Sequence, residues 1–142
     1  MALAADSDRS RDAGRKRSAG RSRLPWALAW SGLMIAASSI PRIPAAPPPF
    51  LHQDKVLHLI EYGVFSWLWG DVLRGSKRGA LRRRAAAIVV GGGLLFAALD
   101  EVYQGFVGRS RDVNDFLADA FAILAVQTFQ EWRERRSKAV EP

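Results

Sequence analysis

Apolar residues gather in four stretches, Leu24–Ile40, Val56–Leu73, Ala85–Leu99 and Phe116–Trp132. Each comes close to the roughly 17–25 residues that a helix needs to cross a bilayer. The pattern predicts an all-α integral membrane bundle of four transmembrane helices, spanning residues 24–132. The first stretch, LPWALAWSGLMIAASSI, carries no charge. Pro25 suits its first turn and Pro41 ends it. Residues 41–53, PRIPAAPPPFLHQ, read as an outer loop with polyproline character. The third stretch holds Gly91–Gly92–Gly93, which predicts a seam of close helix packing. Continued through Asp100 and Glu101 to Gln104, it becomes long enough to span. The fourth follows a turn at 108–114 and carries Asp119 one turn inside.

Composition changes this picture only when its distribution is considered. The 142 residues are 49% hydrophobic and 25% charged, and the mean hydropathy of −0.06 suits a soluble protein. Yet 17 of the 21 basic residues lie in three segments, 1–23, 74–84 and 133–142. Only Arg42, Lys55, Arg109 and Arg111 fall elsewhere. Lys and Arg collect on the cytoplasmic side of membrane helices. The bias therefore predicts an inner-membrane, multi-pass protein with both termini cytoplasmic. The N-terminal tail, rich in Arg, Ser, Gly, Ala and Asp, reads as disordered. A nucleic-acid-binding arm is its alternative, set aside because the charge segregates by side. A cleavable signal ending at Ala45–Ala46 is opposed by the long basic region and by Pro47. With no cysteine, disulfides, thiol nucleophiles and zinc–thiolate sites are excluded.

Three groups of polar residues interrupt the apolar pattern, and alternating spans would bring all three to the outer side. Asp54, Lys55, His58, Glu61 and Tyr62 open the second helix. Asp100, Glu101 and Gln104 end the third. Arg109, Arg111, Asp112, Asp115 and Asp119 open the fourth. At about 100° per residue, Asp54, His58, Glu61 and Tyr62 share one helix face. Asp112, Asp115 and Asp119 follow the i, i+3, i+7 spacing of another. Ionisable residues in spans are costly and usually face a partner or a hydrated cavity. Three such edges are expected to face one another.

In order and spacing, these residues resemble the VanZ-like membrane proteins over roughly residues 25–130. That family's pattern is Asp-Lys-x-x-His, then Asp-Glu-x-x-Gln, then Arg, then Asp-x-x-x-Asn. Here it reads Asp54-Lys55-x-x-His58, Asp100-Glu101-x-x-Gln104, Arg109 and Asp115-x-x-x-Asp119. The last element departs, with Asp119 where the family has Asn and Ala122 where Gly is common. The resemblance implies a bacterial integral membrane protein of the cell envelope. The family is named for a member that lowers susceptibility to the glycopeptide teicoplanin, and it brings no agreed biochemical activity.

The expected partners are membrane lipid and a cell-wall or lipid-linked precursor, with no nucleic acid. Two classes of role remain open. One is an extracytoplasmic site that binds or modifies such a precursor. The other is a non-enzymatic scaffold whose polar cluster is an ion-pair network. Asp54 can cap its helix. Carboxylates at the C-terminal end of the third helix oppose its dipole and need compensation from Lys55, Arg109, Arg111 or a metal. His58, Glu101, Asp115 and Asp119 offer hard ligands, but no recognised metal spacing supports them, and neither metal nor cofactor is expected.

Overall fold

The computed structural model describes residues 23–40, 53–109 and 112–140, with the side chains of Gln53, Asp54 and Val140 left aside. The tail 1–22 and the loop 41–52, expected to be disordered and polyproline-like, lie outside the described residues. Every regular element described is a helix, giving an all-α bundle. Helix α1 runs through residues 23–38. It is followed by α2 (Gln53–Arg74), the short α3 (Gly79–Arg83), α4 (Ala85–Phe106) and α5 (Val113–Val140).

Side-chain pairs fix the directions. Arg23 meets Asp71, Ser31 meets Trp69, and Trp30 donates to the Glu61 carbonyl, so α1 and α2 are antiparallel. Pairs between α2 and α5 rise together along both chains: Lys55 with Asp115, His58 with Asp119, Ser66 with Gln127, Arg74 with Glu134. These two helices are therefore parallel neighbours, and α4 runs back against both. Tyr62 and Phe65 of α2 pack on Phe96 of α4. Together with Met34, Ala97, Ala122 and Ile123 they form the apolar core.

The glycine seam is narrower than expected. A Cβ at Gly91 or Gly92 would meet nothing within 4 Å, whereas one at Gly93 would press on Ile123 and Phe65. Only Gly93 faces α5. The tightest approach lies at Gly70 on α2, where a Cβ would overlap the side chains of Gln130 and Arg74.

Helix ends differ from the apolar boundaries for local reasons. Helix α4 continues past Leu99 to Phe106. It stops where Gly108 adopts φ +81°, and the Arg109 amide returns to the Gln104 carbonyl at 2.9 Å. That is the six-to-one closure of a glycine-terminated helix. Helix α5 starts behind Asp112, whose Oδ1 accepts the Asn114 amide at 2.8 Å, an N-cap contact. At its far end it continues beyond Trp132, so the basic segment 133–140 is helix, built of good helix formers. The segment 74–84, expected as a loop, contains α3.

Candidate functional site

All three polar groups converge at one end of the bundle, at the start of α2, the end of α4 and the start of α5. Lys55 Nζ lies 3.0 Å from Asp112 Oδ2 and 2.8 Å from Asp115 Oδ1. His58 Nδ1 is joined to Asp119 Oδ1 by a 3.0 Å hydrogen bond, and its Nε2 lies 3.9 Å from Asp115 Oδ2. Glu101 Oε2 accepts the Asp112 amide at 3.1 Å. His58, Asp115 and Asp119 are buried, Asp119 with only 1% of its surface exposed.

The two helix termini supply part of the electrostatics. Asp112 and Asp115 sit at the N-terminus of α5, where the dipole favours negative charge. Asp112 lies between the helices, and the Asn114 amide and then Lys55 hold its carboxyl below its ordinary range. Glu101 has the opposite placement, near a C-terminus, and is compensated on one oxygen only. Its Oε1 is buried with no hydrogen-bond partner among the described residues. Asp119 Oδ2 and the Tyr62 hydroxyl share that condition. Buried polar atoms are nearly always paired, so three unpaired ones on neighbouring elements leave room there for a water, a proton or an ion.

One ligand atom each from His58, Glu101 and Asp119 lies within 4.8 Å of the other two. The donors are a ring nitrogen and two carboxylate oxygens. Such a group can hold a divalent cation, or can pass a proton between imidazole and carboxylate.

The other expected residues take supporting places. Tyr62 is fully buried one turn below His58, packed on Phe65 and Phe96. Glu61 is half-buried, with its carbonyl accepting Trp30. Gln104 is buried and donates to Asp100 at 3.0 Å within α4. Arg109 reaches toward the Ala37 carbonyl of α1 at 3.5 Å. The side chain of Asp54 and the whole of Arg111 lie outside the described residues.

Asp112 is more central than its place in the sequence pattern suggested, because it touches α2 through Lys55, α4 through Glu101 and caps α5. A second polar network, at the opposite end, escaped sequence reasoning. Arg74 donates to Gln130 at 2.6 Å and Gln127 at 3.0 Å, and pairs with Glu134 at 2.9 Å. Gln127 donates to the carbonyl and hydroxyl of Ser66, both at 2.8 Å. Gln130 donates to the Trp67 carbonyl and to Asp71, each at 3.2 Å, and Asp71 meets Arg23. A signal was present: Ser66, Gly70 and Arg74 repeat every four residues, facing Gln127, Gln130 and Glu134 at i, i+3 and i+7.

No family model, curated protein or solved structure matches the chain.

Proposed function

We propose that this is a four-span membrane protein of the VanZ-like type, with α1, α2, α4 and α5 crossing the bilayer and the His58–Glu101–Asp119 end facing outward. The observation that carries the reading is an apolar outer surface around a bundle that buries many polar side chains beside its apolar core. Inside the bundle lie His58, Ser66, Gln104, Asp115, Asp119, Gln127 and Gln130. Outside lie Trp26, Leu33, Leu57, Ile60, Leu95, Leu99, Leu117 and Phe121, the last 68% exposed. Monomers in water rarely leave so much apolar surface uncovered, whereas ionisable groups in a membrane turn inward.

By length and apolarity alone, α4 is the one helix among the described residues that qualifies as a span. Helices α2 and α5 carry the inward polar residues, which lower their average without touching lipid. An aromatic and basic rim at the end opposite the site agrees with a cytoplasmic interface. Trp67 stacks on Phe129, with Arg133 over Trp67 and Arg136 over Trp132. Aromatic residues favour that depth and basic ones that side.

The site's role is to bind or modify the head group of a lipid-linked or cell-wall precursor, with altered glycopeptide tolerance as one readout. The unpaired buried oxygens favour this over a purely structural cluster. The scaffold reading draws on Lys55, Asp112 and Glu101, which tie three helix ends together. Single cysteines at Ser76 and Ser110, in a chain that otherwise has none, test the topology with an impermeant thiol reagent on intact cells. The expected result is labelling of Ser110→Cys and protection of Ser76→Cys. The reverse pattern, or recovery of the protein in the soluble fraction, overturns the reading.

A further inference from the structure

We infer that His58, Glu101 and Asp119 form a binding site for one divalent transition-series cation of the Zn2+ or Mn2+ class. The inference deepens the reading of the same end of the bundle as a working site, and rests on it.

Geometry comes first. Ligands about 2.0–2.2 Å from a small cation lie roughly 3–4.5 Å from one another. The three donor atoms lie within 4.8 Å of each other, and the contact between His58 Nδ1 and Asp119 Oδ1 is already 3.0 Å. Only small shifts are needed. The donors also come from three helices that pack together, α2, α4 and α5, so the backbone holds them in place.

Charge gives a second, independent reason. Lys55 is engaged by Asp112 and Asp115, so the nearest ammonium is already shared between two other carboxylates. Glu101 and Asp119 each keep one buried oxygen with no hydrogen-bond partner among the described residues. Carboxylates this close repel when both are ionised, and a proton, the His58 ring or a cation between them relieves that repulsion. A divalent cation supplies a matching charge and takes one oxygen from each carboxylate.

Ligand chemistry narrows the ion. Imidazole with carboxylates suits Zn2+, Mn2+ or Fe2+, whereas Ca2+ and Mg2+ prefer all-oxygen shells. The absence of thiolate donors disfavours Cu+. Three protein ligands leave a coordination position open. An oxyanion such as a phosphate head group is the class of ligand that position would take. Asp119 is central in this chain: with asparagine there, the site would lose one charge and its anionic ligand from α5.

The test uses the full chain, purified in detergent and stripped with a chelator. Zn2+, Mn2+ and Ca2+ are titrated separately, and bound metal is counted by elemental analysis after gel filtration. One Zn2+ or Mn2+ per chain is expected, with Ca2+ failing to compete. Asp119→Asn should weaken binding by about 100-fold or more, beyond what loss of a supporting contact causes. In the Mn2+ form, the spin-echo signal of a directly bound nitrogen should vanish in His58→Gln. Thermal unfolding without metal should be unchanged in Asp119→Asn, so that lost binding is not lost folding. Absence of stoichiometric Zn2+ and Mn2+ in the wild type, or equal binding by Asp119→Asn and Glu101→Gln, overturns the inference. Cysteine labelling repeated with chelator keeps the two ideas apart: normal topology without metal removes only the cation.

Discussion

Both ends of this bundle bury polar side chains, yet they do so in opposite ways. At the Arg74 end, two glutamines, a serine, two arginines and two acids hand hydrogen bonds to one another and to backbone carbonyls. No buried side-chain oxygen or nitrogen there lacks a partner among the described residues. At the His58 end, three do, namely Tyr62 Oη, Glu101 Oε1 and Asp119 Oδ2. A satisfied network specifies and stiffens a core, while a partly satisfied one costs stability by itself. The contrast sets a satisfied network (the lock) at one end of α2 and α5 against a partly satisfied one at the other, where α4 adds Glu101 and the proposed receptacle lies.

The contrast would break most visibly at the lock. Arg74→Met removes the donors to Gln127 and Gln130 and leaves Glu134 without its ion pair. Each buried group left unpaired costs about 1–3 kcal/mol, so the variant should melt far lower in detergent and accumulate poorly in membranes. A melting temperature equal to wild type would show that the network contributes specificity only.

A smaller change is expected at the receptacle. Glu101→Gln keeps the shape and the acceptor for the Asp112 amide, while removing a charge that Asp119 repels. Without metal its stability should stay within about 1 kcal/mol of wild type, while any envelope phenotype disappears at normal protein level. A large loss of melting temperature would instead make Glu101 part of a structural tie and move the whole cluster to the scaffold reading.

The smallest effect belongs to Asp112. Because its carboxyl is held below the ordinary value, its contribution is complete above the unfolded pKa of about 3.9. It is lost as pH falls through the lower folded value. Melting curves of the wild type and Asp112→Asn should therefore run parallel between neutral and mildly acidic pH and converge only below about pH 4. Convergence already near neutrality would mean that another group dominates this corner.

The conspicuous half of the molecule is legible in the sequence. Charges set into apolar stretches stand out, and helix periodicity alone put His58 and Tyr62 on one inward face. Glu101 and Asp119 then met them because α2, α4 and α5 pack at the same end. The lock was less visible, since Ser66, Gln127 and Gln130 are uncharged and common near helix ends. Their meaning depends on α2 and α5 being parallel neighbours, a fact of tertiary packing. Gly91–Gly92–Gly93 misled for a similar reason: glycine permits close approach, but which glycine is approached depends on helix rotation. The reach of α5 past Trp132 followed helix propensity where the charge pattern had suggested only a tail.

Parallel pairing of α2 with α5 has a consequence for biogenesis. The partners of Lys55 and His58 lie about sixty positions further on, at Asp115 and Asp119. Long-range contacts form late because the intervening chain must first close its loop. On the proposed four-span reading, a ribosome that has released α2 into the bilayer has not yet made the residues that shield its charged edge. Until α5 emerges, that edge must find water, lipid head groups or a helper protein. Truncated products ending before residue 113 would keep it permanently uncovered, leaving them open targets for membrane quality control.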